Sequence, residues 1–148
     1  VTKQVPTSPV RVLFVCVHNA ARSQMAEALA NQLGEGRVAA ESAGRTPTEV
    51  NTLAIEAMAD MGIDISGKKA RNVFDLFRTG ELYSFVIAVC DESQLEECPV
   101  FPGITQRLSW SFPDPASFTG THEQKLAQTI KVRDQIRDRI VTWLAELS

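Results

Sequence analysis

The clearest hydrophobic pattern along the chain is a continuous apolar, β-branched run, "VRVLFVCV", starting at Val10. A run without polar alternation predicts a strand covered on both faces, as in a parallel sheet. Residues 23–33 follow with Met25, Ala26, Leu29, Ala30 and Leu33 at helical spacing, and the "GEG" beginning at Gly34 ends that pattern. "RVAAESAG" reads as a second strand running into a turn. Residues 51–61 place Ala54, Met58 and Met61 on one helical face, with Gly62 as the C-terminal cap. A short helix is expected within residues 71–83, a third strand at "SFVIAVC" and a short fourth at "QRLSW". Residues 123–147 carry Leu126, Ile130, Ile136, Ile140, Trp143, Leu144 and Leu147 at helical spacing, predicting a long amphipathic helix.

Strands alternating with helices at short intervals imply a single α/β domain. Its expected architecture is a four-stranded parallel sheet with helices on both faces, wound by right-handed crossovers. The polar, proline-bearing residues 1–9 read as a flexible tail and residues 10–148 as the folded domain. In such sheets ligands sit at the carboxyl ends of the strands. Cys16 and Cys90 each end an apolar run, so the fold would bring both to that edge.

Composition narrows the function. The 148 residues carry a net charge of −3 with both signs interspersed, which excludes a nucleic-acid footprint or a basic membrane-binding face. The apolar run at 12–17 is too short to span a membrane and lacks a cleavage pattern after it. A cytoplasmic monomer acting on small molecules or proteins is the expectation. Three cysteines argue against a disulfide framework. Two histidines, His18 and His122, with no close cysteine pairs make a closed zinc site a poor fit.

The chemistry concentrates in "CVHNAARS", residues 16–23. A strand ending at Cys16 and a helix starting near Ser23 leave a loop whose backbone N–H groups converge at a helix N-terminus, an anion site by construction. The loop has no glycine, so any positive φ falls to Asn19. Arg22 adds a planar fork of donors matched to a tetrahedral oxyanion, and with the helix dipole it favours a thiolate at Cys16. Ser23 can donate a further hydrogen bond to that sulfur, whereas His18 has no evident partner. Singly, a strand-end cysteine is more often core and such an arginine more often solvated. Their combination at this spacing points to a nucleophile in an oxyanion cradle.

"LFVCVHNAARSQMAE", "ESAG", "AMADMGIDISGKKA", "VIAVCDESQLEECPVFPG" and "LSWSFPDPA" resemble the arsenate reductases built on the low-molecular-weight protein tyrosine phosphatase fold. The resemblance implies that Cys16 is the nucleophile and that Arg22, Ser23 and the backbone of Val17, His18, Asn19, Ala20 and Ala21 hold the oxyanion. It implies that Asp114 protonates the leaving oxygen, and that Asn19, Ser23, Glu27, Ser42 and Lys69 support the loop, with Lys69 pairing to Glu27 in place of a cation. Cys90 would attack the first sulfur and Cys98 would take over the disulfide, which an external thioredoxin, glutaredoxin or glutathione would reduce; no bound cofactor is implied.

Alternatives stay open. On spacing alone, Cys90 reads equally as buried filler and Cys98 as an incidental surface thiol. A continuous helix from 90 to 98 would hold its ends roughly 12 Å apart, beyond the roughly 7 Å limit for a disulfide. Seven residues separate Cys90 from Cys98, where the relatives have six, and Ala21 stands where many have cysteine. The second reading is a phosphatase acting through a cysteinyl-phosphate, although Ala116 and Ser117, not an aromatic, follow Pro115. The third is a non-catalytic thiol sensor or arsenite-binding regulator.

Overall fold

The computed structural model describes residues 9–90, 99–103 and 105–147. The central strand β1 (Val10–Cys16) is flanked on one side by β2 (Val38–Gly44) and on the other by β3 (Phe85–Ala88), which in turn pairs with β4 (Gln106–Ser109). All three pairings are parallel, giving the order β2-β1-β3-β4. Both faces of β1 are covered, which is why its sequence is apolar without alternation. Val12, Phe14 and Cys16 point into one core layer; Leu13 and Val15 point into the other.

The larger layer lies under three helices: α1 (Arg22–Gly34), α2 (Thr52–Ala59) and α4 (His122–Glu146). Met25 and Leu29 of α1 meet Ile136, Ile140, Trp143 and Leu144 of α4 there, all buried. Helix α4 is 25 residues long, about 37 Å. Its start is set by a capping box in which Thr121 and Gln124 each accept the other's backbone N–H, at 3.1 and 2.9 Å. The opposite layer is thinner. There α3 (Val73–Arg78), capped by the Asn72 side chain, covers Leu13 and Val15 together with Tyr83 and Phe101.

The predicted elements are present, with shifted ends. The left-handed residue after α1 is Glu35, at φ 47°, with Gly36 following at 86°. Strand β3 closes at Ala88, two residues before Cys90, whose carbonyl accepts the Ser111 hydroxyl (3.0 Å). Among the described residues no helix is long and apolar enough to cross a membrane.

Candidate active site

In register, Cys16 of β1 lies opposite Gly44 of β2, so both strands end at one level and the chain crosses between them. The loop after Cys16 turns its carbonyls outward. Val17 accepts the Thr46 amide (2.9 Å), His18 the Thr48 amide (3.0 Å) and Ala20 the Asn51 amide (2.8 Å). On the inner side of the loop, the Asn19 N–H donates to Cys16 Sγ at 3.1 Å. Helix α1 begins at Arg22, adding the positive end of its dipole. Gly44 makes the close crossing possible: a Cβ there would lie 2.7 Å from both the Asn19 nitrogen and the Val17 oxygen.

Asn19 sits at the centre of the loop with φ 52°, the left-handed conformation expected of it. Its side chain is wholly buried and bonded at both ends. Oδ1 accepts the Arg71 backbone N–H (2.9 Å) and the Gln24 amide (3.1 Å). Nδ2 donates to Ser23 Oγ at 2.8 Å. That hydroxyl, already accepting from Asn19, has its own proton left for Cys16 Sγ, 2.9 Å away. The sulfur therefore receives a backbone and a hydroxyl donor, both of which stabilise negative charge on it.

The Arg22 guanidinium closes the other side. Its Nη1 donates to the Phe112 carbonyl (3.0 Å), and Nη2 lies 3.5 Å from Asp114 Oδ2. Asp114 also accepts the Ala116 amide through Oδ1 (3.0 Å), capping a single helical turn at Pro115–Ser117. Cys16, Arg22, Asp114, His18, Ala20, Ala21, Asn51 and Ala116 line one cavity of about 30 Å³. A wider groove of about 630 Å³, between Phe112 and Arg139, has no cysteine among its lining residues.

Cys16, Arg22 and Asp114 thus converge on one cavity. Cys90 is buried, its Sγ 3.8 Å from the carbonyl of Val15, the residue before Cys16. Cys98, with the acidic residues Asp91, Glu92, Glu96 and Glu97, lies outside the described residues. Ser42 donates to Glu27 at 3.1 Å, but the expected Lys69–Glu27 pair is replaced. The buried Glu27 carboxylate is held by Lys68 Nζ (2.8 Å) and Arg71 Nη2 (3.3 Å). Lys69 is exposed and contributes its carbonyl, which accepts from Gln24 at 3.3 Å. The turn at 66–71 has no periodicity from which to read which of two adjacent lysines faces inward. His18 does acquire a partner: its Nδ1 lies 3.1 Å from the Thr46 carbonyl and 3.3 Å from Thr46 Oγ1. Sequence reasoning missed Gln24, Gly44, Asn51 and Lys68 as parts of the site. Of these, only Asn51 had a local signal, an Asn directly before an apolar helical run.

Residues 11–148 match the family of low molecular weight phosphotyrosine protein phosphatases. An arsenate reductase of Bacillus subtilis (strain 168) is 35% identical over 130 residues, 87% of this chain and 91% of that protein. A glutaredoxin arsenate reductase of Synechocystis sp. (strain ATCC 27184 / PCC 6803 / Kazusa) is 34% identical over 143 residues, 93% and 98% of the two chains. A solved arsenate reductase in the phosphate binding state superposes with a TM-score of 0.73 at 30% identity, covering 94% of this chain and 99% of that one. The family match runs from the second residue of β1 through α4 and takes in the whole Cys16–Arg22 loop, so the chain belongs to the low molecular weight phosphotyrosine protein phosphatase family.

Proposed function

We propose that this chain is an arsenate reductase, with the oxyanion held between the residue 17–23 loop and Arg22. The Cys16 thiolate attacks arsenic; an As–O bond breaks, and the leaving oxygen departs as water with a proton from Asp114. The Cys90 thiol then attacks Cys16 Sγ. The S–As bond breaks with its electron pair left on arsenic, so As(V) leaves as As(III) and a Cys16–Cys90 disulfide holds the two oxidised sulfurs. Cys98 displaces Cys16 from Cys90, and an external dithiol of the thioredoxin or glutaredoxin class reduces the resulting bond. The electrons come entirely from thiols.

The single observation that carries this reading over simple phosphate hydrolysis is the buried Cys90 thiol beside the carbonyl of Val15, at the strand edge where Cys16 stands. Hydrolysis of a cysteinyl-phosphate by water has no step for a second thiol, whereas release of arsenite needs one. Phosphomonoester hydrolysis remains the second reading, because the donors around Cys16 and Arg22 suit phosphate as well as arsenate. The test is single-turnover reduction of arsenate followed by intact-mass and peptide mapping. Arsenite in step with a Cys16–Cys90 or Cys90–Cys98 disulfide, lost in Cys16→Ser and Cys90→Ser, is the expected result. Hydrolysis of an aryl phosphate with no arsenite from arsenate would establish the second reading instead.

A further inference from the structure

Asn51 lies about thirty residues past the nucleophile loop in sequence, yet it lines the same cavity as Cys16, Arg22 and Asp114. It is held from three directions. Its backbone N–H donates to the Ala20 carbonyl of the loop (2.8 Å), its own carbonyl accepts the Ile55 amide (3.1 Å), and its side-chain Oδ1 accepts the Leu53 amide (2.8 Å) as the cap of α2. With Oδ1 committed to the cap, the amide cannot turn over without breaking it. The side-chain atom left for a ligand is therefore Nδ2, which carries two N–H donors and accepts nothing.

A tetrahedral oxyanion presents only acceptors, so a fixed donor on the cavity wall suits it. His18 lines the same cavity, but its Nδ1 is engaged by Thr46. Both Arg22 terminal nitrogens face the Phe112 and Asp114 oxygens. We infer that Asn51 Nδ2 is a further oxyanion-contacting group, donating to the bound arsenate or phosphate opposite the Arg22 guanidinium. Because its backbone N–H also holds the Ala20 carbonyl, one residue both sets the loop and reads what the loop binds. This inference rests on the proposed reading that the cavity takes an oxyanion.

The test uses two variants that keep the cap, since serine and aspartate serve the N-cap position as well as asparagine does. Asn51→Ser removes the long donor, and Asn51→Asp puts a negative acceptor in its place. For each, inorganic phosphate affinity is measured as protection of Cys16 from iodoacetamide, with KM and kcat for arsenate, the unprotected alkylation rate and the melting temperature. Losing one charge-assisted hydrogen bond predicts a phosphate dissociation constant and arsenate KM about tenfold higher in Asn51→Ser. The loss should be larger in Asn51→Asp, with the melting temperature unchanged in both and the alkylation rate unchanged in Asn51→Ser; the new carboxylate in Asn51→Asp disfavours the Cys16 thiolate and slows alkylation there. Values within twofold of the unsubstituted protein in Asn51→Ser, while that protein binds phosphate and reduces arsenate, overturn the inference and leave the proposed function standing. Equal falls in affinity, alkylation rate and melting temperature would also overturn it, as loop collapse. If phosphate and arsenate fail to protect Cys16 in the unsubstituted protein, both readings fall together.

Discussion

Asn19 Nδ2 donates to Ser23 Oγ at 2.8 Å, and this one bond determines what the serine can offer the nucleophile. By filling an acceptor site on the hydroxyl, it leaves the serine proton for Cys16 Sγ. The asparagine never touches the sulfur with its side chain, yet it orients the group that does. It can do so because the Arg71 amide and Gln24 fix its other end.

Asn19 is thus both a backbone and a side-chain requirement, and two substitutions separate them. Asn19→Ala places a Cβ-bearing residue without polar compensation at φ 52°, while Asn19→Gly tolerates that conformation. By urea denaturation, alanine should be less stable than glycine by about 1–2 kcal/mol, the cost of a left-handed L-residue. Arsenate turnover should fall by at least about tenfold in both, since neither orients Ser23. Equal stability of the two variants would show that the loop does not demand a left-handed residue.

Gly44→Ala drives a methyl group into backbone atoms at 2.7 Å, none of which can rotate away. The expected cost is about 1–3 kcal/mol, with weakened phosphate protection of Cys16 as the loop is pushed off the strand ends. Gly67→Ala is the control. Nothing lies within 4 Å of its Cβ position, and its melting temperature should match that of the unsubstituted protein.

Two adjacent lysines should behave differently. Lys68→Ala removes an ammonium 2.8 Å from the buried Glu27 carboxylate and should cost about 1 kcal/mol, a value kept low because the lysine itself is half exposed. Lys69→Ala leaves intact the backbone carbonyl that Gln24 uses, and should change thermal stability by no more than about 0.5 kcal/mol. The reverse order would restore the Lys69–Glu27 pairing read from sequence.

Tyr83 is the only tyrosine, so alkaline titration of its phenolate absorbance reads one group. Burial, then the hydrogen bond to Glu41 and that carboxylate's charge, push its phenol well above the ordinary value. A raised folded value means the neutral form stabilises the fold fully below the unfolded pKa of about 10, and that contribution is lost as pH rises through the folded value. The phenolate signal should appear only above about pH 10, together with alkaline unfolding, and Tyr83→Phe should flatten the stability profile in that range. Phenolate forming at the ordinary pKa in a folded protein would contradict the Glu41 contact.

Much of this arrangement is legible before folding. The unbroken apolar run at 10–16 predicts a doubly covered strand, and β1 is the central one. The absence of glycine from the loop singles out Asn19 for positive φ, and that is where it falls. Elements with strong period or cap chemistry keep their identity, and only their ends move. The support around the loop is a different matter. Gln24 of α1 and, from the 66–71 turn, Lys68 and the Arg71 amide act through contacts spanning 5 to 52 residues, and the side-chain directions of that turn follow no repeat.

What the chain determines by itself is therefore local: a strand, a thiol at its end, an arginine and serine at a helix start, and the one residue between them able to turn left-handed. These follow from periodicity, steric limits on φ and the chemistry of single side chains. Which lysine reaches Glu27, why Gly44 must lack a side chain, and how Asp114 comes to face Arg22 across 92 positions are decided only when the strands align. Those relationships depend on where separate elements end relative to one another, and register is a property of packed cores rather than of any short stretch of sequence.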